Sequence, residues 1–155
     1  MTKAVQDLMV AVERTRDAFA TAVRAGDLDA ALAVVAADVA VLNAPLGTGA
    51  RGADALRRHL AEDVIPHLPA DLATRRVSRT GDRWRVVDEE VVSFTHDREV
   101  PWLLPGVAPT GRPVELLTVC VVAVRRERIT EVRTLWDHHG LLTALGLLPA
   151  VAGSI

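Results

Sequence analysis

The stretch from Arg126 to Gly146, RERITEVRTLWDHHGLLTALG, constrains the fold more than any other part of the chain. Its first half alternates. Ile129, Glu131, Arg133, Leu135 and Asp137 fall on one side of a strand, and Thr130, Val132, Thr134 and Trp136 on the other. Asp137 stands where the strand stops, and 140–146, GLLTALG, reads as a short closing helix with a glycine stop. Two carboxylates and an arginine at spacing two on so apolar a strand either line a pocket or face water. The alternation predicts a pocket, with Arg133 and Asp137 on the concave side of a sheet that has this strand at its centre.

The preceding segments supply the rest of that sheet. Val114 to Arg125, with LLTVCVVAV inside it, is the most apolar strand and reads as buried on both faces. Leu72 to Thr80 and Arg83 to His96 are two further strands joined at Gly81-Asp82 in a tight hairpin. On the second of them Trp84, Val86, Asp88, Glu90, Val92, Phe94 and His96 share one face, unless a bulge turns Glu89 inward instead. Glu99 to Arg112, EVPWLLPGVAPTGR, carries three prolines and two glycines and reads as a long loop of the functional kind.

The N-terminal half is mostly helical. Val5, Leu8, Met9, Val12, Phe19 and Val23 recur at helical spacing until Gly26 stops the helix. Asp27 caps a second helix, Leu28 to about Ala36, and a short strand follows from Val39 to Ala44. LGTGARGAD reads as a glycine loop, and no Gly-Lys-Ser/Thr follows to make it a phosphate cradle. A third helix spans Ala53 to Val64, burying Leu56, Leu60 and Val64, with His59 on nearly the same face. The order predicts one α+β domain over residues 1–155, its helices grouped on one side of a curved, mostly antiparallel sheet.

Composition removes several classes of function. The chain has 18 Lys and Arg against 20 Asp and Glu, a net charge of −2, and no long single-sign run. Nucleic acid is therefore a poor partner. No apolar run approaches the roughly 20 residues of a membrane span, and MTKAVQDLMV lacks a signal-peptide core. The expectation is a soluble, cytoplasmic protein that meets neither membrane nor nucleic acid. Cys120 is the lone cysteine and reads as core. His138 and His139 diverge in direction and have no third ligand at a recognisable spacing, so no metal site is expected.

Several of these features together resemble the SnoaL-like branch of the nuclear transport factor 2-like (NTF2-like) superfamily, which includes polyketide cyclases. They are the paired N-terminal helices before Asp38-Val39, the helix start from Gly52 to Leu60, and Thr95-His96 near the end of a long strand. The loop GVAPTGR (106–112), and Ile129-Thr-Glu131 with Asp137 before a Leu-Leu-x-x-Leu-Gly helix, complete the set. The resemblance implies a cone-shaped α+β fold around an apolar pocket, no cofactor, and a homodimer through the outer sheet face. It also implies acid/base roles that fall here on Asp137 and His96.

Each candidate has a plainer reading beside it. Asp137 at a pocket mouth would have its charged form disfavoured and become a useful proton acceptor; it is also placed to cap the last helix. His96 is placed to donate a proton to a carbonyl oxygen, or is a strand-end histidine beside Asp97. His59, Glu90, Phe94, Trp102, Glu131, Arg133 and Leu135 are candidate pocket residues, although Glu131 and Arg133 more often form a structural ion pair.

Two functions follow. One is a cofactor-independent cyclase or isomerase acting on a small apolar carbonyl compound such as a polyketide-like metabolite. The other is a non-catalytic small-ligand-binding or accessory protein. The absence of tyrosine disfavours a steroid-isomerase-like site, since a common oxyanion donor is missing. Epoxide hydrolysis of the limonene epoxide hydrolase type stays open through Asn43, Glu131, Arg133 and Asp137.

Overall fold

The computed structural model describes residues 1–148. Helix α1 (Lys3–Arg24) begins where the Thr2 side chain accepts the Val5 N–H, and α2 (Leu28–Ala33) begins where Asp27 accepts the Ala30 N–H. The second helix stops three residues short of its expected end. Val34 and Val35 are β-branched, and Val35 already pairs with Ile129, so β1 (Val35–Asn43) starts early.

The glycine loop folds as an edge strand, β2 (Thr48–Arg51), antiparallel to β1. Gly49 is required there, because a side chain would collide with the Val41 carbonyl. Helix α3 (Ala53–His59) runs into a π-helical turn (Leu60–Val64) and a 3₁₀ turn (Ile65–His67) that contains Pro66. The expected third helix is thus one regular segment with two irregular turns.

Four long strands follow: β3 (Ala73–Gly81), β4 (Arg85–Thr95), β5 (Pro113–Arg125) and β6 (Arg128–Trp136), before the closing helix α4 (His138–Ala144). They form one six-stranded sheet in the order β2-β1-β6-β5-β4-β3. Neighbours are antiparallel except β1 and β6, which run parallel. The final strand is central, as its pattern predicts, with β5 beside it.

The helices cover one face. Val12 and Ala22 of α1, Ala31 of α2 and Leu56 of α3 pack on Val39, Val86, Val122, Val124, Ile129 and Val132 of the sheet. A second cluster lies under 97–112 and α4, built from Phe94, Val100, Leu103, Leu104, Val114, Leu116, Leu141 and Leu145, with Trp102 and Trp136 against it.

One residue of register decides which side chains see that interior. β5 and β6 pair Ala123 with Glu131 but Val124 with Ile129, so Thr130 is an extra residue in β6. The strand changes parity at this bulge. Ile129 and Val132 both point to the helices and are buried. Glu131, Arg133 and Leu135 consequently point to the outer face, where Leu135 is exposed and the Glu131–Arg133 pair (3.3 Å) stands in solvent. The expected concave placement of Glu131, Arg133 and Leu135 is corrected by this bulge. β4 carries no such offset, since the irregularity in its hairpin lies on β3 between Arg76 and Ser78. Asp88, Glu90, Phe94 and His96 therefore face inward together.

Candidate functional site

The inner face of β4 bears the titratable groups that matter. Near its middle Asp88 and Glu90 meet α1. Arg16 places Nε 2.9 Å from Asp88 Oδ2 and its second terminal nitrogen 2.5 Å from Glu90 Oε1. Arg79 of β3 grips Asp88 with two nitrogens (2.6 and 2.9 Å) and Asp17 of α1 with two more contacts (2.7 and 3.1 Å). Burial alone would raise the Asp88 pKa; the Arg79 hydrogen bonds and the charges of Arg16, Arg79 and Arg76 outweigh it and hold this carboxyl below its usual range. Burial pushes the Cys120 thiol up. Such a thiol is a poor nucleophile.

The C-terminal end of β4 has a different chemistry. His96 is wholly buried, two residues beyond Phe94 on the same face. Its Nδ1 accepts the Thr110 backbone N–H (3.3 Å) and lies 3.0 Å from Thr110 Oγ1. The ring proton therefore sits on Nε2. Burial lowers the His96 pKa, and Asp97 offsets this only in part, so the ring is neutral near pH 7. Among the described residues Nε2 has no hydrogen-bond partner, and neither does the buried Nε1 of Trp102 in the covering loop. A buried donor without a partner costs about 1–3 kcal/mol. Both stand near the second cluster: Trp102 packs against it, and His96 lies two residues beyond its member Phe94.

Loop 97–112 is anchored at that place. His96 N–H donates to the Arg112 carbonyl and Gly111 N–H to the His96 carbonyl, while Val100 and Leu104 close the loop on themselves. Asp71 accepts both the backbone N–H and the hydroxyl of Thr95 next door.

The other expected residues are dispersed. Phe94 and Trp102 join the cluster beside His96. Glu90 faces inward but is held by Arg16. His59 is partly buried as the last residue of α3, with Nδ1 3.1 Å from Asp63. Asp137 is exposed and caps α4, its Oδ1 accepting the Gly140 N–H (2.9 Å). It lines an outer cleft of about 430 Å³ between α4 and β5, with Glu115, Leu117 and Leu141.

Asp137 and His96 are also far apart. Trp136 pairs with Thr118 and Thr95 with Pro113, five residues along β5. That is roughly 17 Å at strand rise. The pairing of Asp137 with His96 on one carbonyl group is not what this geometry brings together. Arg16 and Arg79 went unread in the sequence. For Arg16 the signal was present, since it sits four residues after Val12 and three before Phe19, within the buried stripe of α1.

Helices on one face of this mixed sheet define the α+β architecture of NTF2-like and ketosteroid isomerase-like proteins. A candidate SnoaL-like polyketide cyclase from Jannaschia sp. CCS1 superimposes with a TM-score of 0.73 at 16% identity, covering 96% of this chain and 98% of that one. IdmH, a candidate polyketide cyclase from Streptomyces antibioticus, gives 0.64 at 24% identity over 86% and 97%. The Δ5-3-ketosteroid isomerase of Mycobacterium sp. gives 0.62 at 21% identity over 83% and 95%. A comparison with curated proteins finds no match. The family model of the SnoaL-like domain matches residues 16–132, and the chain belongs to that family.

Proposed function

We propose that the chain holds a small, largely apolar carbonyl compound with an oxygen at His96 Nε2–H, and serves a cofactor-independent reaction of the cyclase or isomerase type. The observation that carries this reading is the two buried donors left without a partner among the described residues, His96 Nε2 and Trp102 Nε1, with Trp102 packed on the cluster that holds Phe94, two residues before His96. A neutral imidazole N–H in an apolar wall polarises a carbonyl and stabilises the enolate formed from it, in the manner of an oxyanion hole. The cyclases and the isomerase among the structural neighbours support this class of chemistry, as does membership of the SnoaL-like family.

The site stabilises an oxyanion more evidently than it removes a proton. Asp88 and Glu90 are neutralised by arginines, and Asp137 is engaged as a cap. Substrates that enolise readily, such as 1,3-dicarbonyl chains, are the natural match. The same arrangement favours a second reading, a binder that only orients its guest.

One experiment separates the two. A panel of short 1,3-dicarbonyl compounds and their hydrocarbon analogues is titrated by tryptophan fluorescence, and product is followed by chromatography. The enzyme reading expects selective binding with turnover that falls about 10²–10³-fold in His96→Phe. Binding without product establishes the binder. Equal affinity for the hydrocarbons removes the donor pair from the account.

A further inference from the structure

The sheet end opposite His96 carries a feature that the ligand site does not use. The turn between β3 and β4 (82–84) and the turn between β5 and β6 (126–127) lie side by side, joined by the Val124 N–H donating to the Trp84 carbonyl (2.9 Å). Trp84 is 40% exposed, yet two guanidinium groups already stack on it. Arg125 lies 4.0 Å and Arg83 5.0 Å from the ring centroid. Arg83, Arg85, Arg125 and Arg126 are all exposed. The acids among these turns are Asp82 and Glu127, and the Asp82 carboxylate is occupied by the N–H groups of Trp84 (2.7 Å) and Arg85 (2.8 Å). A chain of net charge −2 thus concentrates positive charge on one small edge.

The backbone adds an independent observation. Arg126 and Glu127 hold φ values of +52° and +59°, two successive left-handed residues. Asn-Gly fills such a two-residue turn without strain. Here both positions carry long charged side chains in a conformation that L-residues disfavour. Strain kept at an exposed tip points to what the tip presents rather than to what it stabilises.

We propose that these two turns form a docking surface for an acidic segment of a partner protein. Guanidinium forks match carboxylates in paired hydrogen bonds. An arginine-flanked tryptophan is the composition of an interface hot spot. Single-stranded nucleic acid fits less well: it needs a basic groove that tracks a backbone and open aromatic faces for stacking, whereas two tips give no groove and the Trp84 ring is already engaged. A membrane surface calls for an amphipathic helix or several apolar anchors, and this edge offers one ring. Because β4 separates Trp84 from His96 along its whole length, the surface stands independently of the ligand reading.

The test is fluorescence anisotropy with a short labelled Glu/Asp-rich peptide. Its controls are a thymidine oligonucleotide, inorganic phosphate as competitor, and phosphatidylcholine–phosphatidylserine vesicles. Salt-sensitive peptide binding is expected, weakened about tenfold or more when Arg125→Gln and Arg126→Asn are combined. Asparagine tolerates the left-handed position, so the melting temperature of Arg126→Asn is expected to hold or rise. His96→Phe is expected to bind the peptide as the parent does. No salt-sensitive peptide binding, unchanged affinity in the double variant, or tighter binding of oligonucleotide, phosphate or vesicles would each overturn the proposal.

Discussion

Arg16 and Asp88 meet inside the protein, with Nε 2.9 Å from Oδ2 and side chains only 10% and 1% exposed. The pair fixes α1 to the centre of β4. Glu90, Arg79 and Asp17 extend it on either side. A buried pair of this kind is a weak source of net stability when intact, but removing one partner strands a charge.

Arg16→Met is therefore expected to destabilise the fold by about 3–5 kcal/mol. Combining it with Asp88→Asn and Glu90→Gln is expected to restore part of that loss, because the stranded carboxylates disappear. Urea unfolding of the single and triple variants measures both. A single variant as stable as the parent would show that Asp88 and Glu90 find other partners.

Acidification is expected to destabilise the protein in two stages. The folded pKa of His96 is lowered by burial, so its contribution is full above about pH 6.5, the unfolded value, and is lost as pH falls toward the folded one. Asp88 is held low against its own burial, and Asp17 chiefly by the Arg79 hydrogen bond. Their contribution is present above about pH 3.9 and is lost as pH falls through the folded values. Unfolding free energies at stepped pH are expected to show both stages, and His96→Phe to lack the first.

Asp137→Ala is expected to cost about 1 kcal/mol through the lost cap on α4, and Asp137→Asn much less. If turnover collapses in Asp137→Asn while the melting temperature holds, the carboxylate is a proton acceptor and the donor-centred account fails. Melting temperature and turnover on the same preparations decide between them.

The outer sheet face is expected to pair two copies of the chain. Leu42, Leu117 and Leu135 are 41%, 51% and 41% exposed on it, around the Glu131–Arg133 pair. Sheet faces of this character are normally covered. Light scattering at micromolar concentration is expected to give twice the 16.7 kDa chain mass. Leu117→Lys is expected to shift it toward the single chain. A parent protein at 16.7 kDa excludes the dimer.

Much of this architecture was legible in the sequence because alternation and helical spacing report burial directly. β4 shows it best: Asp88, Glu90, Phe94 and His96 share a face as their spacing says. β6 shows the limit. Pattern alone gave Ile129 and Glu131 one side, and a single extra residue at Thr130 separated them. A bulge has no residue signature in a strand of Thr, Glu and Val, since it is set by pairing with β5. The same holds for His96, whose identity was readable but whose tautomer depends on Thr110, fourteen residues later in the loop. LGTGARGAD reads as a loop because glycine is depleted in strands, yet its pairing with β1 made it β2.

The parallel junction of β1 with β6 also sets an order of assembly. β3 to β6 form a meander of sequence neighbours, joined by two tight turns and the 97–112 loop. β1 must instead find β6 from the far end of the chain. Closing that distance costs chain entropy before any contact rewards it. The meander is thus the natural nucleus, and β1, with its helices and β2, docks on a finished edge. Until it does, β6 presents an unpaired backbone edge bearing Ile129, Val132, Leu135 and Trp136, which is the species of this chain most prone to self-association.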